Sequence, residues 1–133
     1  MYQGYLIKVG TYTIPLSVIR ADSYIVFRSV TDLDSFVDAN GVLHRNALDH
    51  TANKVEFETV PQMNNTEFAA LMSNIRSQFT APKERKASVT CYIPEIDDYE
   101  TQDMYMPDIK PQMYLASATE IKYDAVRLAF IGY

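Results

Sequence analysis

Residues 53–79 read NKVEFETVPQMNNTEFAALMSNIRSQF, and their hydrophobic period changes halfway along. In the first half Val55, Phe57 and Thr59 alternate with Lys54, Glu56 and Glu58. Successive side chains on a strand point to opposite faces, so this pattern gives one buried face and one wet face. In the second half Phe68, Leu71, Met72, Ile75 and Phe79 fall at offsets of 0, 3, 4, 7 and 11, which is a single helical stripe. Asn64 stands where an N-cap is needed, and Glu67 can reach back to it from the third helical position. Ala81-Pro82 stops the run, because a residue before proline is pushed out of the helical region. A half-buried strand followed by one amphipathic helix over 65–79 predicts a helix lying on a sheet, with the stripe serving as core and not as a ligand site.

Period two recurs on both sides of this stretch. Over 86–93, Ala87, Val89, Cys91 and Ile93 alternate with Lys86, Ser88, Thr90 and Tyr92. Residues 112–116 and 120–130 supply the last strands, the second alternating from Ile121 to Ala125 until Val126 interrupts it. Upstream, 23–30 is rich in β-branched and aromatic residues. At the start, 5–9 and 12–16 flank Gly10-Thr11, a short Gly-led connection that suits a tight antiparallel hairpin. Pro15 cannot donate to a ladder and marks an edge or a break. The expected fold is α+β, a mostly antiparallel β-sandwich or barrel-like sheet with one flanking amphipathic helix.

Between the strands at 23–30 and 53–60 lies an insertion too long for an ordinary connection, since loops beyond about 12 to 15 residues are usually functional or disordered. Asn40-Gly41 sits at its centre and reads as a type I′ turn with positive φ at both residues. Phe36, Val37, Val42 and Leu43 flank it, so 32–52 is expected to form a long hairpin arm. Apolar residues on such an arm call for a cover, from a partner or a neighbouring subunit. Asp38 and Asp49 would take the first and twelfth positions of a calcium loop, but Leu43 occupies the place of the required glycine and Val42 that of an oxygen ligand, so an EF-hand is rejected.

The chain has 133 residues and a mass of 15.2 kDa, the size of one compact domain, 1–133. Its composition is that of a globular protein: 47% hydrophobic and 22% charged residues exclude wholesale disorder. A formal charge of −5 disfavours general nucleic-acid binding, because it repels a phosphate backbone. No stretch approaches the roughly 18 apolar residues of a membrane span, and residues 1–10 lack a signal-peptide pattern, which predicts synthesis in the cytoplasm without a membrane anchor. Cys91 is the only cysteine, which rules out an internal disulfide and a Cys-rich zinc site; its place in a strand pattern predicts a buried thiol.

Catalytic signatures are missing. The chain carries no G-x-S-x-G elbow, phosphate loop, dinucleotide fingerprint or H-E-x-x-H helix. His44 and His50, with Asp38, Arg45 and Asp49 nearby, could in principle hold a metal or transfer a proton. Solvated or hydrogen-bonding roles suit them better, and neither a metal nor a cofactor is expected. A cation on Asp97 and Asp98 lacks further ligands at legible spacing.

Charge is segregated. Residues 95–108 carry Glu95, Asp97, Asp98, Glu100, Asp103 and Asp108 with no base among them, and Tyr99, Met104, Tyr105 and Met106 are interleaved. Lys83-Glu84-Arg85-Lys86 is a compact basic turn. Tyrosine and methionine are enriched at protein interfaces, and an acidic rim can align a partner. The interface candidates are therefore Phe36, Val37, Asn40, Val42, Leu43, His44 and Arg45 on the arm, Lys83, Arg85 and Lys86 in the basic turn, and Asp97, Asp98, Tyr99, Met104, Tyr105 and Met106 in the acidic segment.

The stretches YLIKVGTYTIPLSVI, DANGVLHRNALDHTANKVEFETV, DYETQDMYMPDI and IKYDAVRLAFIGY together resemble a small family encoded among tail genes of phages and prophages of Gram-positive bacteria. The resemblance implies a non-enzymatic virion protein of the tail tube, distal tail or baseplate. Such a protein would act by ring-type oligomerisation, with six copies as the candidate number, and by docking to neighbouring tail proteins. Its basic turn would face an acidic loop of the next subunit, and net negative charge would let DNA pass through the ring without adhering. The alternative is a receptor- or carbohydrate-binding module at the tail tip, with tyrosines as stacking platforms.

Overall fold

A computed structural model describes residues 1–133, apart from the side chains of Val30, Thr31, His50 and Thr51. The chain opens with the expected hairpin, β1 (Ile7–Val9) and β2 (Tyr12–Thr13), in which Val9 pairs with Tyr12. Gly10 makes the reversal at φ 58°, a left-handed conformation that glycine adopts without penalty. Pro15 ends β2 and leads into a 3₁₀ turn at Leu16–Val18. Next come β3 (Ile25–Asp32), β4 (Phe36–Val37), β5 (Leu43–His44), the twelve-residue β6 (Ala47–Glu58) and β7 (Met63–Asn64). The helix α1 (Asn65–Arg76) follows, then β8 (Lys86–Ile93), β9 (Asp98–Tyr105), β10 (Met113–Ala116), β11 (Ile121–Tyr123) and β12 (Arg127–Gly132).

Seven strands form the main sheet in the order β2-β1-β8-β9-β12-β6-β3, with antiparallel pairing between neighbours. The order β10-β11-β7 makes a smaller sheet, and β4 pairs with β5 alone. The fold is therefore α+β, mostly antiparallel sheet with one α-helix among the described residues, as the change of period predicts.

The sheet is strongly curled. The Tyr24 hydroxyl, just ahead of β3, donates to the carbonyls of Tyr92 (2.9 Å) and Leu6 (3.3 Å). Four strand spacings separate β3 from β8, about 19 Å on a flat sheet and beyond the reach of any tyrosine. The sheet must bend towards a barrel for these contacts to form. Its concave face holds Val55, Phe57, Val89, Cys91, Leu128 and Phe130, all essentially without solvent contact. The α1 stripe of Phe68, Leu71, Met72 and Ile75 completes that core.

The helix start matches its expected chemistry. Asn64 Oδ1 accepts from the Glu67 N–H (2.8 Å), and Asn64 Nδ2 donates back to the Glu67 carboxylate (3.1 Å). The helix stops at Arg76, three residues before the predicted end. Ser77 turns its hydroxyl onto the Asn74 carbonyl (2.7 Å), and Gln78 Oε1 accepts from the Thr11 N–H (3.0 Å). Phe79 still packs on the core, from the turn beyond the helix.

Three expectations need correction. Asn40-Gly41 is not a type I′ turn: only Gly41 takes positive φ (80°). The Gly41 N–H donates to the Asp38 carbonyl, and the Asp38 N–H to the Val42 carbonyl, so Ala39-Asn40-Gly41 is a three-residue loop with the glycine at its left-handed end. The strand expected over 120–130 is two strands in different sheets. The chain crosses between them where Val126 breaks the alternation, and there the Thr59 hydroxyl accepts from the Val126 N–H (2.9 Å). The acidic segment is no loop. It forms a short 3₁₀ turn (Pro94–Ile96) and then β9, an interior strand paired to β8 along its whole length.

Candidate functional site

The arm projects from the sheet as β3 and β6 run on past the other strands, with β4 and β5 as its tip. Asp38 organises the tip. Its carboxylate accepts from the Asn40 and Val42 N–H groups (2.9 and 3.0 Å) and lies 2.7 Å from His44 Nε2. These hydrogen bonds, the His44 contact first, hold the Asp38 carboxyl below the ordinary carboxylate range. The His44 ring stacks on Phe36 with centroids 4.9 Å apart. Lower on the arm, Arg45 makes a two-nitrogen contact with Asp32 (2.9 Å each), which lowers the acid's pKa and raises the base's.

The tip is thus rigidly built, yet its apolar side chains face water. Phe36, Val37, Val42 and Leu43 are each 54 to 62% exposed. Val37 and Leu43 are cross-strand partners and share one face, and Phe36 and His44 share the other. This locked, apolar tip is an unsatisfied surface among the described residues. His44 is engaged in the turn lock, and the His50 side chain lies outside the described residues.

The basic turn and the acidic segment meet inside one chain. Arg85, at φ 55°, places Nη1 2.8 Å from Asp108 Oδ1. Lys86 sets its ammonium 5.0 Å above the Tyr133 ring, and that ring packs edge-on against Tyr105. The pairing expected between subunits therefore has an instance within the subunit. Lys83 stays exposed in the turn.

Most of the other acidic-segment candidates have structural tasks. Met104 and Met106 are buried in the core, which removes them from the interface candidates. Met104 shares the inward face of β9 with Glu100, and Asp103 lies on the outward face. Tyr99 stacks on Tyr5 at 4.6 Å, donates to the Tyr5 carbonyl (2.7 Å) and accepts from the Gln3 N–H (2.9 Å). Tyr92 packs edge-on against both Tyr99 and Tyr2, and its hydroxyl donates to Asp97 (2.6 Å). Asp98 accepts from the Tyr99 N–H and pairs with the terminal ammonium. This tyrosine cluster fastens the first six residues across β8 and β9.

Two features escaped the sequence reading. On the concave face Arg28 donates to Glu100 (3.0 Å), whose other oxygen accepts from the buried Asn53 (2.7 Å). These residues lie on three strands, so no local pattern could join them. The second is a groove of about 470 Å³ between α1 and segment 106–110, with Met72, Phe79 and Ile109 among its walls and Arg76, Arg85 and Lys110 at its rim. A further apolar surface is the edge strand β10, where Met113, Tyr114 and Leu115 are all exposed.

Among the described residues no group of three His, Cys, Asp or Glu side chains is placed to hold a metal ion, and no helix is long and apolar enough to cross a membrane.

The class of fold defined here is a curled antiparallel sheet with one helix and a projecting hairpin, and its fold is similar to that of chains of known structure. A chain in the tail of an empty gene transfer agent particle with C6 symmetry superposes with a TM-score of 0.51 at 15% identity, covering 98% of this chain and 91% of that one. A chain in the virion of the native gene transfer agent particle matches with the same score, identity and coverage. The protein belongs to a family of unknown function, DUF6711, whose sequence pattern matches residues 1–133. It matches no curated protein.

Proposed function

We infer that this protein is a non-enzymatic structural component of a phage-like tail, working by ring-type self-association and by docking to adjoining tail proteins. The observation that carries the reading is the locked apolar hairpin tip, a preorganised surface with nothing covering it in the single chain. The end-to-end likeness of fold to a chain in a tail with C6 symmetry supports it and makes six copies the number to test. In a ring the tip of each subunit meets a different surface on the next, which is how one exposed projection can be satisfied in every copy.

The carbohydrate-binding alternative is weakened by Tyr99, whose ring is covered by Tyr5 and whose hydroxyl has partners on both sides. Light scattering of the purified protein at micromolar concentration, alone and with the products of adjoining tail genes, tests the reading. A closed multimer is expected. A persistent monomer that binds none of those proteins would overturn it.

A further inference from the structure

The groove between α1 and segment 106–110 has apolar lining and an excess of positive charge, Arg76, Arg85 and Lys110 against Asp108. Met72, Phe79 and Ile109 supply apolar lining; Asp108 also lines the groove but is paired with Arg85, whereas Arg76 and Lys110 have no carboxylate partner among the described residues. Its volume of about 470 Å³ falls in the range that encloses a compact ligand, roughly 300 to 1,000 Å³. An occupant of matching chemistry must be apolar at its centre and acidic at its margin.

Two exposed apolar projections of the chain are candidates, and charge separates them. The edge strand β10 offers Met113, Tyr114 and Leu115 with no acid inside the strand. The hairpin tip offers Val37 and Leu43 on one face, and residues 32–46 carry three aspartates against one arginine. Asp32 is committed to Arg45 and Asp38 to His44, but Asp34, exposed and held at φ 53°, has no partner among the described residues. Of these two, the tip matches both halves of the groove. In its own chain the tip stands in solvent, so the tip that fills a groove comes from another copy.

We propose that the tip of one copy docks into the groove between α1 and segment 106–110 of the next, with Val37 and Leu43 against Met72, Phe79 and Ile109 and with Asp34 facing Arg76 and Lys110. The contact is heterologous, so it propagates around a ring without a two-fold axis. It rests on the self-association inferred above and names the surface that performs it. Charge at the margin sets register and rejects wrong partners, while the apolar pair supplies the holding energy.

Oxidative cross-linking and charge reversal test it together. The double variant Val37→Cys with Ile109→Cys should form intermolecular disulfides and a ladder of covalent multimers, whereas Val37→Cys with Leu115→Cys should not. The buried native Cys91 leaves little background. Arg76→Glu with Lys110→Glu should weaken self-association about tenfold or more, and adding Asp34→Lys to that variant should restore it. Circular dichroism checks that each variant stays folded; if a groove variant unfolds, Asp34→Lys alone, on the solvent-exposed arm, must show the same weakening. A wild-type chain that stays monomeric sinks both this inference and the reading beneath it. A wild-type multimer that cross-links through β10, or that ignores both charge reversals, sinks the groove alone.

Discussion

The Tyr24 hydroxyl lies 2.9 Å from the Tyr92 carbonyl although four strands' spacing separates their places in the sheet. Burial pushes the Tyr24 phenol well above its ordinary pKa, which favours the neutral form that donates this bond. The bond therefore clamps the curl at neutral pH. Tyr24→Phe keeps the ring and takes this donor from the Tyr92 carbonyl, while the Leu6 carbonyl still accepts from the Tyr92 N–H. We expect a loss of about 1 to 3 kcal/mol in urea unfolding, with an unchanged far-ultraviolet spectrum. A loss below 0.5 kcal/mol, on the order of a neutral surface change, would mean that the core alone sets the curvature.

Asn64 and Glu67 satisfy each other's backbone and side chain at the start of α1, an arrangement visible in the sequence NNTE. Asn64→Ala removes the acceptor for the Glu67 N–H and should cost about 1 kcal/mol. Asn64→Asp should recover most of that, because a carboxylate accepts the same bond and favours the positive end of the helix. Equal unfolding midpoints for the Ala and Asp variants would contradict the cap.

What was legible in the chain was what period and local chemistry write down. The 53–79 change of period gave the α+β class, and alternation over 86–93 gave β8 to the residue. The helix end was not legible, because Ser77 and Gln78 stop it through contacts with Asn74 and with Thr11, the latter far away in sequence. The Arg28–Glu100–Asn53 cluster and the groove are tertiary, each assembled from separate elements. Acidic β9 misled in the opposite way. Its charge density read as a loop, yet Glu100 turns inward to Arg28, while Asp97 serves Tyr92 and Asp98 the first residue. The arm was legible as an insertion with apolar flanks, but its turn type was not, since Asp38 fixes a three-residue loop where Asn-Gly suggested two.

Cys91 faces the core from β8, and burial pushes its thiol up to about 12, with the Glu100 carboxylate adding to the effect. The thiolate is the reactive form, so the native protein should resist a disulfide reagent at neutral pH. Labelling should begin only as urea opens the sheet, in step with the loss of tertiary signal. Rapid labelling in buffer would place Cys91 in a part of the sheet that opens locally.

At the tip, the Asp38 carboxyl is held below its ordinary value by His44 and by the Val42 and Asn40 N–H groups. A carboxyl whose folded pKa is depressed stabilises the folded form above its unfolded value, about 3.9, and loses that contribution as pH falls through the folded value. The tip should therefore loosen on the acid side before the sheet does. The protection of the Gly41 and Val42 amides, the slowing of their exchange relative to the unfolded-chain rate at the same pH, should fall on acidification below about pH 4. In Asp38→Ala it should already be low at neutral pH. Protection that persists at acid pH in the wild type would show that the tip holds without the carboxylate.

The tip variant Val37→Asp with Leu43→Asp separates folding from assembly. Both side chains are more than half exposed in the single chain and contribute little to its core, so the unfolding midpoint should move by no more than about 0.5 kcal/mol. Docking buries them, and placing two carboxylates in an apolar contact would leave charges unpaired and desolvated. Self-association should therefore fall by at least about a hundredfold, because two such losses of about 1.4 kcal/mol or more each multiply. A variant that assembles like the wild type would show that the tip is not the contact surface. A variant that fails to fold would show instead that Val37 and Leu43 belong to the arm's own stability, and the milder Val37→Ser with Leu43→Ser would then decide whether assembly is lost at unchanged unfolding midpoint.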